Sequence, residues 1–370
     1  MSGWCGSYEV TCVSPDRLDR PCVSQSMLCN TQDDLWIVED SQAWLCEFFQ
    51  CMSKQPRRSW FEPSSINNNF RLGAMNQSKE NSSSGSDLRR SEIHFSFRDN
   101  NYKGYLVAPG AEQGPRPLVL IFHNFQGLKF FELDVAEYLA KLGYVGLAAD
   151  LYGDLVPPDQ RLWPEDEQLV PAFRKRCFEG LVSLDHDHEK FRALLKIWLE
   201  KGLESPFVDK TFAPAAIGYC FGGMAVLECI RGGLDVGGVV SFHGLLQTGE
   251  DPNAAKYGAT IPPLKLCENH YNTKAVVLIE NGAADYLVTK ESKERFYAEM
   301  NEAGVDWNFH DHSGTPHGFA LPPTLGSPGH LHESSDRRST MNMLSLFKEI
   351  FPGIPQNYVA RNAAGTAIPV

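Results

Sequence analysis

The chain has 370 residues, 42% hydrophobic and 22% charged, with a formal charge of -12 at pH 7. That length accommodates one large α/β domain or two smaller ones. The acidic balance argues against nucleic acid or an anionic membrane as partner, since either calls for a basic surface, and no stretch approaches the roughly 20 apolar residues of a membrane helix.

Residues 1–88 differ in character from the remainder of the chain. Six of the ten cysteines fall here: Cys5, Cys12, Cys22, Cys29, Cys46 and Cys51. They form no Cys-x-x-Cys pair, and no histidine precedes His94, which argues against a zinc module. Leu35, Trp36, Ile37, Val38, Trp44, Leu45, Phe48 and Phe49 point to one short helix between Asp34 and Met52. Asn76 to Asp87, rich in Ser and Asn without apolar periodicity, reads as a linker, and the whole extension is expected to be poorly ordered. Met1 to Arg20 has neither a basic start nor an apolar core, so no secretory signal is expected. The cysteines then read as mostly reduced thiols in a cytoplasmic protein.

From Glu92 the pattern becomes regular. Ile93 to Phe97 alternates as a half-buried strand, and Tyr102 to Val107 follows across a polar turn, together a hairpin. Pro117 to Phe122 is a continuous apolar run, as in a strand covered on both faces. Phe131, Val135, Tyr138, Leu139 and Leu142 share one helical stripe ending at Gly143, and Val145 to Ala149 is again a buried strand. Phe191, Leu194, Leu195, Trp198 and Leu199 mark another helix. Further strands are expected at Ala213 to Ile217, Val236 to Phe242, Lys274 to Ile279 and Val305 to His310. Helices are expected from Phe221 to Arg231, over Lys290 to Ala303 and from Ser335 to Ile350. A hairpin followed by alternating strands and helices predicts an α/β domain over 89–355: a mostly parallel sheet wrapped on both faces, with 356–370 as a C-terminal tail. Chemistry in such sheets gathers at the carboxyl ends of the strands.

Gly218-Tyr219-Cys220-Phe221-Gly222 stands at one such end. Strand, sharp turn and helix around a nucleophile make a nucleophile elbow, in which the two glycines avoid a collision across the turn. The helix start favours thiolate at Cys220. Asp285 and His317 follow the next expected strand ends, giving the order nucleophile, acid, histidine of the α/β-hydrolase triad. Cys220 would attack an acyl carbon, His317 would carry the proton and Asp285 would orient the imidazole. Glu280 or Asp306 could orient the histidine instead, and His310 and His312 compete with His317. Those two alternate along a strand, as surface residues or a weak metal pair. The run Asp185 to Glu189, and His330 and His332, read as solvated, so no metal is assigned. Two N–H donors are needed for an oxyanion. Phe221 supplies one; the loop His123 to Gly127 supplies the other, from Phe125 or, close behind it, Asn124.

These motifs resemble the dienelactone hydrolase family over residues 92–351. The resemblance rests on Gly218 to Gly223, Phe122 to Gly127, Leu142-Gly143-Tyr144 leading into Ala149 to Gly153, Ser241-Phe242-His243-Gly244, Asn281 to Asp285, and His317-Gly318-Phe319. It implies an α/β-hydrolase fold and a cofactor-free hydrolase with Cys220, Asp285 and His317 as its triad. Well-studied bacterial members place an activating glutamate where Asn124 stands, and a substrate-holding arginine soon after the histidine. Here Phe319-Ala320-Leu321 follows instead. Asn124, Phe319 and Leu321 are therefore expected to line the pocket of a small, less charged ester or lactone, in a monomer or homodimer. The rival expectations are a non-hydrolytic fold member with Cys220 as a redox-responsive thiol or a ligand-binding pocket, and a scaffold role for the N-terminal cysteines.

Overall fold

The computed structural model describes residues 88–249, 253–326 and 329–369. The helix expected between Asp34 and Met52, the N-terminal cysteines and the linker lie outside the described residues.

The hairpin forms as β1 (Arg89–Phe97) and β2 (Asn100–Ala108). The other strands are β3 (Leu118–Phe122), β4 (Val145–Ala149), β5 (Ala215–Tyr219), β6 (Gly238–Phe242), β7 (Val276–Gly282) and β8 (Asp306–His312). They make one eight-stranded sheet in the order β1-β2-β4-β3-β5-β6-β7-β8, antiparallel only where β2 meets β1 and β4. From β4 to β8 every pairing is parallel, so β3, β5, β6, β7 and β8 all present their carboxyl ends at one edge.

Both faces are covered, which is why the central strands read as unbroken apolar runs. Along β3, Leu118, Leu120 and Phe122 join one core while Val119 and Ile121 join the other. Helices α1 (Phe130–Leu142) and α6 (Glu333–Ile350) bury their apolar stripes on the second of these. Helices α2 (Val170–Asp185), α3 (His188–Leu203), α4 (Phe221–Arg231) and α5 (Lys290–Ala303) pack on the first. Helix α2 has no counterpart in the expected elements. Among the described residues no helix is long and apolar enough to cross a membrane.

The run Asp185 to Glu189 is a junction between α2 and α3 rather than a solvated helix end. Asp187 does N-cap α3, accepting from Lys190 N at 3.0 Å, but Asp185 and His188 are buried. The expected tail also packs back on the domain: Asn357 N donates to Leu142 O at 2.9 Å, and Asn362 Nδ2 to Asp336 Oδ2 at 2.7 Å.

Candidate active site

The elbow follows from its glycines. A Cβ on Gly218 would lie 2.0 Å from Gly222 O, and one on Gly222 would lie 2.1 Å from Phe122 O. Only glycine lets α4 start this close to β5 and β3. The turn holds Cys220 at φ 56°, a region that residues with a Cβ avoid, and leaves it as the N-cap of α4.

Parallel pairing brings Asp285, beyond β7, and His317, beyond β8, to the same edge. Gly282 closes the approach between their loops: Ala284 N donates to Thr315 O at 3.0 Å, where a Cβ on Gly282 would meet that oxygen at 2.3 Å. His317 Nδ1 donates to Asp285 Oδ2 at 2.7 Å, and Leu287 N holds Oδ1 at 2.9 Å. Cys220, Asp285 and His317 are 6%, 5% and 5% exposed. His317 Nε2 makes no aligned hydrogen bond among the described residues, yet the Cys220 sulfur is close enough to act on it electrostatically. Burial alone would lower the His317 pKa. The Cys220 charge and the Asp285 hydrogen bond outweigh it and push it up to about 10.

The competing residues are engaged elsewhere. Buried Glu280 accepts from His310 Nδ1 at 2.8 Å and His312 Nε2 at 2.6 Å, with Asn342 Nδ2 at 2.8 Å. Burial would raise its pKa, but these donors hold it below the usual glutamate range. Asp306 opens β8, at the far end from His317. His330 Nδ1 donates to the His317 carbonyl at 3.0 Å, and His332 bonds Ser335 Oγ at 2.9 Å.

Phe125 and Phe221 are both buried, and among the described residues neither N–H donates to a backbone carbonyl in a turn or loop. The Phe125 loop is fixed by a polar network whose members carry no assigned role in the sequence. Leu151 N donates to His123 Nε2 at 2.9 Å, which leaves the ring proton on Nδ1, donated to Asn124 O at 2.7 Å. Tyr152 Oη donates to Phe125 O at 2.8 Å. Asp150 Oδ2 pairs with the buried Arg161 guanidinium at 2.9 Å, and that guanidinium also donates to Leu128 O at 3.3 Å, just past the loop.

The residues expected to line the pocket are placed differently. Asn124 spends its Oδ1 on Gln126 N at 2.8 Å, closing its own turn, while its Nδ2 meets no partner among the described residues. Phe319 and Leu321 are wholly buried in the core shared with α1 and α6, Phe319 lying edge-on beneath His243. Both side chains, with Ala320 between them, are buried in that core. The aromatic surface beside the loop is instead Phe125 stacked on Phe178 at 5.0 Å, and Phe178 on Tyr257 at 5.3 Å. Arg174, on the unforeseen α2, stands over Tyr257, Trp163 and Phe125 at 4.8, 5.1 and 5.8 Å. The basic run Arg174-Lys175-Arg176, in the second turn of α2, is the sequence signal for this cation.

A model described as the dienelactone hydrolase family matches residues 102–351. Among solved structures, one titled m3DLH is 31% identical at a TM-score of 0.55, covering 71% of this chain and 99% of that one. The dienelactone hydrolase-like promiscuous phosphotriesterase P91 from metagenomic libraries is 26% identical at a TM-score of 0.56, covering 72% of this chain and 99% of its own. An uncharacterized protein of Caenorhabditis elegans is 30% identical over 165 residues, 42% of this chain and 94% of that protein.

Proposed function

The chain belongs to the dienelactone hydrolase family, a family of hydrolases, and from that premise we propose that it cleaves a small ester or lactone without a cofactor, through an acyl-Cys220 intermediate. The observation that carries the reading is the 2.7 Å bond from His317 Nδ1 to Asp285, with the opposite edge of the ring under the influence of Cys220. A thiol that only sensed oxidation would need no carboxylate behind its histidine.

In the first half-reaction the Cys220 thiolate attacks the acyl carbon. The Phe125 and Phe221 N–H groups receive the oxyanion as it forms. The C–O bond then breaks, and His317 passes its proton to the departing alkoxide. In the second, water attacks the thioester, His317 takes its proton, and the C–S bond breaks to return the thiolate and release the acid. Asp285 holds the ring in place throughout, stabilising the imidazolium before the first proton transfer and keeping the neutral ring protonated on Nδ1, so that Nε2 is free to take the proton of water. Arg174, with no carboxylate partner among the described residues, gives the aromatic wall a cation against which an anionic group on the substrate would sit.

Steady-state turnover of short-chain p-nitrophenyl esters and lactones, with an aryl phosphotriester added because of the P91 likeness, tests the reading. Wild type should turn over at least one ester, and Cys220→Ala and His317→Ala should each lose that activity by a factor of about 10³ or more. Undiminished turnover in either variant would refute it.

A further inference from the structure

His243 follows β6 as Cys220 follows β5. The register that pairs Tyr219 with Phe242 sets the two side by side at the ends of neighbouring strands. Both hold left-handed backbone, φ 41° at His243 and 56° at Cys220. Such a conformation is strained in a residue with a Cβ and persists where the surroundings enforce it, commonly at functional sites. At Cys220 the elbow explains it. At His243 the backbone N–H continues the ladder to Glu280 O at 2.8 Å, and the ring is buried completely.

That ring lies edge-on to His317, with centroids 5.2 Å apart, and to Phe319 at 5.3 Å. Neither of its nitrogens has a hydrogen-bond partner among the described residues. A buried polar atom left unpaired forfeits its hydration with nothing in return, so two on one side chain call for a polar occupant beside it. The titratable groups around it are His317, Tyr219, whose ring centroid lies 6.1 Å away, and His330, with Cys220 at the end of the neighbouring strand. Burial, then the His317 and His330 charges, hold its pKa well below the usual histidine range. The ring is therefore neutral at neutral pH, with one nitrogen donating and one accepting. Such a group can orient a water without competing with His317 for its proton.

We propose that a ring nitrogen of His243 holds the hydrolytic water of the second half-reaction at the rim where its ring meets that of His317, beside the acyl group on Cys220. The inference rests on the acyl-Cys220 reading above. The water gives one proton to His317 Nε2, its oxygen bonds to the acyl carbon, and the C–S electron pair returns to sulfur. His243 gains and loses no proton; it fixes where the oxygen stands.

The two half-reactions separate in a pre-steady-state burst with p-nitrophenyl acetate. His243→Phe keeps a ring and removes both nitrogens. The nitrophenol burst should stay within about twofold of wild type, while the steady rate falls about a hundredfold, the usual penalty for a reactant misplaced by about 1 Å. Acyl-Cys220 should then persist in the mass spectrum. His243→Asn tolerates the left-handed backbone and restores a donor and an acceptor, so it should recover most of the deacylation rate. If the Phe variant does not fold, His243→Gly replaces it, free of backbone strain but without a polar group, and the Asn variant should clear the adduct faster than the Gly variant. Burst and steady rate falling together, or Asn and Gly variants clearing the adduct equally, would overturn the proposal. An adduct that the Phe variant clears at the wild-type rate sinks this inference alone; no adduct in wild type sinks the acyl-enzyme reading with it.

Discussion

Asp150→Asn probes the support of the Phe125 loop. Arg161 is 2% exposed, and its guanidinium reaches Asp150 Oδ2 at 2.9 Å, Gly153 O at 2.9 Å, Val156 O at 2.7 Å and Leu128 O at 3.3 Å. Asp150 supplies the negative partner and also accepts from Tyr152 N at 3.0 Å and Gly153 N at 3.1 Å. An Asn keeps much of that backbone capping but leaves the cation buried without a counter-charge, which costs about 3–5 kcal/mol. For a domain of this size that lowers the melting midpoint by roughly 6–20 °C. Arg161→Met should cost less, because the carboxylate left behind keeps its two N–H donors. The double variant should regain at least about 1 kcal/mol over Asp150→Asn, since no lone charge remains. Thermal unfolding of all four proteins at one pH measures the cycle. An Asp150→Asn variant within about 1 kcal/mol of wild type, or a double variant showing the full sum of both losses, would refute the reasoning.

The same structure sets further outcomes. Burial raises the Asp336 pKa to about 6 despite its bond to Asn362, so its protonated form favours folding: this contribution is intact below about pH 4 and lost as pH rises through about 6. Asp336→Asn should therefore stabilise the domain above pH 6 by on the order of 2–3 kcal/mol at most, and little below pH 4; a pH-independent difference in melting midpoint would count against it. Gly222→Ala drives a Cβ to 2.1 Å from Phe122 O and should give insoluble or unfolded protein, whereas a soluble, active variant would contradict the elbow packing. Asp285→Asn should fold but lower kcat by about 10²–10⁴, with little change in KM, when assayed on the best ester. The Cys220 charge is the chief upward influence on His317, so in Cys220→Ala the ring, followed by NMR, should titrate at least about one unit below its value near 10 in wild type. The raised histidine stabilises the fold fully below about pH 6.5 and stops doing so as pH passes about 10.

Local pattern carries the sheet and the elbow because each depends on neighbours in sequence. Gly218 follows from a steric demand within five residues, whereas Gly222 answers to Phe122 O on a neighbouring strand; Lys290 to Ala303 is helical from Thr289, which caps it, to Gly304 in left-handed backbone. Asp285 and His317 are legible as loop residues after strands, though only the fold brings them within 2.7 Å. Helix α2 does carry a local signal, since Phe173, Cys177, Phe178 and Leu181 recur at helical spacing and Pro171 sits in its first turn, yet it is absent from the expected elements. Phe319 and Leu321 look like pocket residues in sequence, yet core and pocket side chains share one apolar alphabet. The long-range polar pairs are beyond reach: nothing near Glu280 announces that it will take both His310 and His312, nor anything near Asp150 that Arg161 will close on it. In the same way, the two nitrogens of His243 that meet no partner among the described residues take that place only once β6 is set beside β5.

The most direct measurement is mass spectrometry of the protein quenched during turnover of a p-nitrophenyl ester, with peptide mapping. Acylation at Cys220 predicts one acyl mass added to wild type and mapped to the Cys220 peptide, absent from Cys220→Ala. Turnover with no adduct on Cys220, or an adduct that survives in Cys220→Ala, would contradict it.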